Sequence, residues 1–206
     1  MKRVLGGMLL LLGSSNVFSA GNIDLRLAAG SLEFEDGPDE IEIENSGFQF
    51  RGEAGLSEQI FLRASYLDLS SDEVEVNGID VNVDVDASVL RAGLGGGGVV
   101  GSTFMFGALE YGRLDIEVDG ESADDSGYVV SFGIRGNTES PFLWSVELGL
   151  VKFDDVDGGT FDATLGYQFN QTFALVGGIQ SYYLEDDFNA EADLVTATIG
   201  ARILFQ

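Results

Sequence analysis

The sequence predicts an all-β protein: a transmembrane, antiparallel, up-and-down β-barrel of about ten strands, with eight as the alternative. Three observations carry this prediction. From Gly21 onward, apolar residues recur with period two, and no helical period of 3.6 persists. The connections between the alternating segments are of two kinds that take turns along the chain, one nearly uncharged and one acidic. Aromatic side chains gather at the segment ends, as two girdles around a lipid-facing band require. Lipid offers the backbone no hydrogen bonds, so such a sheet must close on itself.

The first element is not a strand. Residues 1–20 open with Lys2 and Arg3, continue in an apolar run from Val4 to Leu12 and end on small residues at Ser19-Ala20. That order is a secretory signal peptide, and the run is too short to span a membrane as a helix. Cleavage after Ala20, with Ser19 as the alternative, leaves a barrel over residues 21–206.

Ten alternating segments follow, near 22–34, 43–55, 59–69, 81–94, 102–115, 127–137, 141–153, 160–169, 172–184 and 193–206. In the second, Phe48, Phe50 and Ala54 oppose Gln49, Arg51 and Glu53. In the seventh, Phe142, Trp144, Val146, Leu148 and Leu150 oppose Ser145, Glu147 and Gly149. The eighth sets Phe161, Ala163, Leu165, Tyr167 and Phe169 against Asp162, Thr164, Gly166 and Gln168. Connections near 56–58, 95–101, 137–141 and 170–171 are nearly uncharged, and the glycine run Gly95–Gly98 reads as a flexible turn. No Lys-Ser/Thr follows that run, so it is not a phosphate loop. The connections near 35–42, 70–80, 116–126, 154–159 and 185–192 are acidic. Within the second of these, VEVNGIDV (74–81) reads as an Asn-Gly hairpin that pairs Val74 with Val81 and Val76 with Ile79.

The chain resembles the small outer-membrane β-barrels of Gram-negative bacteria, of the OmpA and OmpX kind. The resemblance rests on the hairpin of EYGRLD (110–115) with DDSGYVVSFGIRG (124–136) and on the closing segment LVTATIGARILF (194–205). It implies the cell outer membrane, contact with its lipid and lipopolysaccharide, and assembly by the barrel-insertion machinery. Phe205 is the expected assembly signal, although Gln206 follows it. The resemblance marks an architecture and carries no functional residues.

If the large apolar residues face lipid, the opposite parity faces the lumen. Asp24, Arg26, Arg51, Glu53, Arg63, Arg91, Glu110, Arg135, Glu147, Asp162 and Arg202 then point inward as a network of charges. Arginine and carboxylate pair bidentately, so the network is expected to fill the lumen. Arg91 fits this scheme awkwardly. It shares parity with Val85, Ala87 and Val89, so if those residues face lipid, a bulge must switch the register before it.

The sequence has 206 residues, with 35 Asp+Glu against 10 Lys+Arg and a formal net charge of -25. Twenty-eight of the acids lie in or beside the five acidic connections, which contain no Lys or Arg. Longer loops of such barrels face outward, so a negative outer crown is expected. Asp119, Asp124, Asp125, Asp155, Asp157, Asp186 and Asp187 are candidates for weak Ca²⁺ or Mg²⁺ binding. Asp155–Gly158 resembles part of a calcium loop but lacks its first and last ligands.

Histidine and cysteine are both absent. That excludes His-dependent hydrolytic sites, zinc knuckles, iron–sulfur clusters and disulfides. The acid excess argues against nucleic acid. No cofactor is expected, no enzymatic activity and a monomeric state. Three functions remain: a filled structural or surface-interaction barrel, a narrow cation-selective channel, and an adhesin or receptor with one partner.

Overall fold

A computed structural model describes residues 20–36, 39–72, 74–76, 79–136, 140–186 and 190–205. The signal segment up to residue 19, Asp187 and Gln206 lie outside the described residues. The strands are β1 (Gly21–Asp36), β2 (Asp39–Gly55), β3 (Ile60–Ser71), β4 (Val74–Val76), β5 (Ile79–Val81) and β6 (Val85–Val100), then β7 (Thr103–Val118), β8 (Glu121–Gly136), β9 (Phe142–Phe153), β10 (Val156–Gln168), β11 (Phe173–Asp186) and β12 (Glu191–Phe205). Ten of them close an antiparallel barrel in which each pairs with its sequence neighbours. The seam joins β1 to β12 from Gly21↔Phe205 to Glu35↔Glu191. The short ribbon β4–β5 is the addition. Its register is Val74↔Val81 and Val76↔Ile79, and β4 docks on the top of β2 through Ile41↔Val76.

The acidic connections are much shorter than the sequence suggests. Residues 116–126 are wall, not loop: β7 and β8 pair up to Val118↔Glu121. The turn is Asp119-Gly120, both with positive φ (50° and 84°). That is the two-residue turn whose twist suits adjoining strands, and it needs residues that accept the left-handed region. Likewise β1 and β2 pair as far as Asp36↔Asp39. A tilted strand crosses the hydrocarbon in roughly 9–11 residues, whereas six of the barrel strands have 15 or more. The surplus projects beyond the membrane at the acidic end.

Two expectations are corrected in β6. Gly95–Gly98 are not a turn but part of the strand, which pairs with β7 as far as Val100↔Thr103. Glycine serves there for space: a Cβ on Gly95 would come within 2.2 Å of the Phe61 ring. The second correction concerns the valines. Val85, Ala87 and Val89 are each 4% exposed and face inward together with Arg91. The register against β3 runs without interruption from Ile60↔Gly96 to Ser71↔Val85, so no bulge switches it.

The reason is an inversion of pattern at constant register. In the lower part of the barrel apolar side chains point out and the charged ones point in, joined at the short-turn end by a few inward phenylalanines. Leu27, Leu150 and Leu165 are 72%, 70% and 71% exposed, whereas Asp24, Glu110 and Arg91 are buried. In the upper part the parities exchange. On β1, Leu32 is buried beside the outward Glu33; on β7, Leu114 and Ile116 turn inward beside Asp115 and Glu117. On β12, Leu194 is buried beside Asp193. Lipid surrounds the lower wall, so its outer face must be apolar. Water surrounds the upper wall, so its apolar face must turn inward, as in a soluble barrel.

Candidate functional site: the charged lumen

The interior is built in three layers. At the short-turn end, Phe61, Phe104 and Phe106 surround Arg135. Its guanidinium carbon lies 5.4, 4.6 and 5.5 Å from their ring centroids. These rings need the inward glycines of the neighbouring strands: a Cβ on Gly133 would come within 2.4 Å of Phe106. Arg135 also donates to Glu53 Oε1 at 2.6 Å.

The middle layer is a belt of charges. Nη1 and Nη2 of Arg63, from β3, donate to the two carboxylate oxygens of Glu147, from β9, at 2.9 and 2.7 Å. Arg63 Nε lies 3.1 Å from Glu110 Oε1. Arg91 pairs with Glu110 and lies 3.3 Å from Glu147 Oε1. These four side chains from β3, β6, β7 and β9 form one cluster in which each touches more than one partner. A second cluster centres on Asp24. It accepts from Arg202 Nε and Nη2 at 2.6 and 2.8 Å and from Arg26 Nη2 at 2.5 Å. Arg51 pairs with Asp162 across the lumen, from β2 to β10. Gln49 Nε2 donates to Gln180 Oε1 at 2.7 Å, which adds a neutral rung from β2 to β11.

All eleven charged residues that the alternation aims at the lumen therefore occupy ion pairs. The period-two pattern fixes their side of the wall. Their partners are fixed by barrel diameter and strand stagger, which the sequence does not display.

The upper layer was not visible as a layer in the sequence. Leu32, Ile43, Leu67, Leu69, Val129 and Phe153 are among the fifteen residues of one buried apolar cluster. Val74 at the root of the β4–β5 ribbon belongs to it, so the ribbon is anchored by a core contact. A small apolar void lies among Leu32, Ala87, Val89, Leu114 and Leu194. A signal for this layer does exist in the sequence: on several strands the apolar parity switches at the first outward acid.

The rim carboxylates have varied surroundings. Asp125 is a turn organiser. Its Oδ1 accepts from the N–H of Ser126 at 2.7 Å and of Asp154 at 3.1 Å, and its Oδ2 accepts from Asp155 N–H at 3.1 Å. It ties the β7–β8 hairpin to the β9–β10 turn. Asp186 Oδ1 accepts from Ala190 N–H at 2.9 Å and so closes the β11–β12 connection. Asp157 pairs with Lys152 at 2.5 Å, and Asp124 lies 3.5 Å from Arg113. Asp119 holds the tight turn and Asp155 is exposed. Among the described residues, no group of three or more acids converges as a metal would require. At the seam, the Phe205 ring lies over Gly21, where a Cβ would come within 2.4 Å of it.

Similar solved structures include Ail of Yersinia pestis (12% identity, 90% of this chain and 99% of that one, TM-score 0.46) and OprG of Pseudomonas aeruginosa (10%, 91% and 96%, 0.46). Neisserial surface protein A is a third (11%, 91% and 99%, 0.47). No curated protein sequence matches significantly. The family model described as "Outer membrane protein beta-barrel domain" matches residues 8–169. That span covers most of the chain and eight of the ten strands of the closed wall in full, and the chain belongs to this family of outer-membrane β-barrels.

Proposed function

We propose that this protein is a sealed outer-membrane barrel with a structural or surface-interaction role, displaying an acidic emergent wall rather than conducting solutes. The charged belt carries the proposal. It crosses the lumen from β2 to β10 and from β3 to β9, with an apolar layer above and an aromatic layer below. A solute would have to separate ion pairs in a narrow, poorly hydrated interior, where an unpaired charge is costly. The lack of histidine and the use of the lumen carboxylates in ion pairs support a non-enzymatic role. The signal segment supports export and cleavage near Ala20, and the wall protruding beyond the membrane is the surface open to partners.

The test is planar-bilayer conductance of the refolded barrel. The expected result is silence at moderate voltage. Steady, cation-selective steps from the wild-type protein would establish the narrow channel instead.

A further inference from the structure

Ten Lys and Arg residues occur in the chain. Two lie in the signal segment and six face the lumen, which leaves Arg113 and Lys152 as the two basic residues on the outer wall. Their placement is selective. Following the outward parity of each barrel strand up from the short-turn end, the first charge above the apolar band is acidic on eight strands, as with Asp68 on β3, Asp86 on β6 and Glu185 on β11. On β7 it is Arg113, and on β9 it is Lys152.

These two strands flank β8, so the cations share one face. Arg113 pairs in register with Ser126 and Lys152 with Tyr128, only two residues further along β8. Two strand spacings, about 10 Å, separate them across the sheet. Tyr111 and Tyr128, themselves a cross-strand pair, lie beside them and are 47% and 62% exposed. Tyrosines of this kind mark the boundary between hydrocarbon and headgroups. Below the cations the outward residues are Leu109, Val130 and Leu150, all exposed and apolar. Above Arg113 the first outward residues are Asp115 and Asp124, and beside Lys152 its register partner on β10 is Asp157; all three take part in exposed ion pairs with the two cations. Such pairs contribute little and yield readily to a stronger anion.

We infer that the Arg113–Lys152 face is a docking site for a phosphorylated lipid of the outer leaflet, with its phosphates on the two cations, its sugar or headgroup against Tyr111 and Tyr128 and its acyl chains along the β7–β9 wall. The acids above exclude a free anion approaching from solvent, whereas a lipid phosphate arrives from the side, in the plane the cations occupy. Arg113 supplies the planar donor fork suited to phosphate, and Lys152 a mobile point charge. The inference rests on the outer-membrane orientation with the acidic end outward, but not on the lumen being sealed.

The experiment is native mass spectrometry of the refolded full-length barrel, released from micelles after incubation with bisphosphorylated lipid A or with the same lipid stripped of its phosphates. The wild type should retain the phosphorylated lipid roughly thirtyfold better, as about two surface charges warrant. R113Q/K152Q should abolish that preference while keeping the heat-modifiable mobility of a folded barrel. D115N/D157N, which removes the competing carboxylates, should raise retention; a merely structural pair would leave it flat. Equal retention of the two lipids by the wild type, unchanged preference in R113Q/K152Q, or unchanged retention in D115N/D157N overturns the inference. So does displacement of the lipid by millimolar inorganic phosphate, which would make this a free-anion site. The wild-type comparison of the two lipids stands even if a variant fails to fold. A barrel that conducts but retains the lipid overturns only the sealed lumen. A silent barrel without lipid preference overturns only the docking site.

Discussion

The lower and upper halves of this barrel are made of the same strands in the same register, yet they are inside-out relative to each other. Arg91 and Val89 are consecutive inward residues of β6, 1% and 4% exposed. One belongs to a charged belt and the other to an apolar core. The difference lies outside the wall. Around Arg91 the outer surface meets lipid and the inside is the only place for polarity. Around Val89 the outer surface meets water, and the inside is where apolar area escapes it. The lumen of such a barrel is thus two environments stacked along one axis.

Breaking the belt should have the largest effect. Glu147→Ala leaves Arg63 and Arg91 short of a partner and should cost about 3–5 kcal/mol, measured by urea unfolding in lipid vesicles. A loss under about 1 kcal/mol would mean that water solvates the belt and that its pairs are no different from surface ones.

The position of the inversion can be mapped from outside. Leu148→Arg, on the outward face opposite Glu147, should cost about 2–4 kcal/mol if it sits near the midplane of the bilayer. Glu117→Arg, of outward parity on β7 but beyond the girdle, should change stability by no more than about 0.5 kcal/mol. Similar costs at the two positions would mean that the lipid boundary is drawn wrongly.

A smaller effect is expected at the rim. Asp125→Ala removes the acceptor of three backbone N–H groups and should cost about 1–2 kcal/mol, seen as faster proteolysis at residues 153–156. The smallest effect concerns cations. Millimolar Ca²⁺ should protect the emergent wall from protease slightly more than NaCl of matched ionic strength, and Asp119→Asn with Asp124→Asn should reduce that gain. Equal protection by NaCl would leave the crown a diffuse charged surface, since monovalent salt acts only by screening.

The sequence by itself determined the architecture. Period two names the element, the aromatic girdles name the solvent, and parity sends Arg63 and Glu147 to the same side of the wall. Local rules were enough because lipid forbids an open edge and leaves each strand one choice of face. They were also enough for the register of the β4–β5 ribbon, Val74↔Val81 and Val76↔Ile79, which the alternating valines predict; residues 77–78 between them lie outside the described residues. Three things were decided only by the tertiary structure. Which arginine meets which carboxylate depends on the stagger of strands far apart in sequence, such as β2 and β10. The glycine run became wall because Phe61 and Phe104 lie over it, and local flexibility gave way to the packing of rings from other strands. The apolar core of the upper half came from the height of each residue above the lipid, a coordinate that exists only once the strands have closed. Alternation states that two faces differ; which face is wet depends on where the closed barrel leaves the membrane.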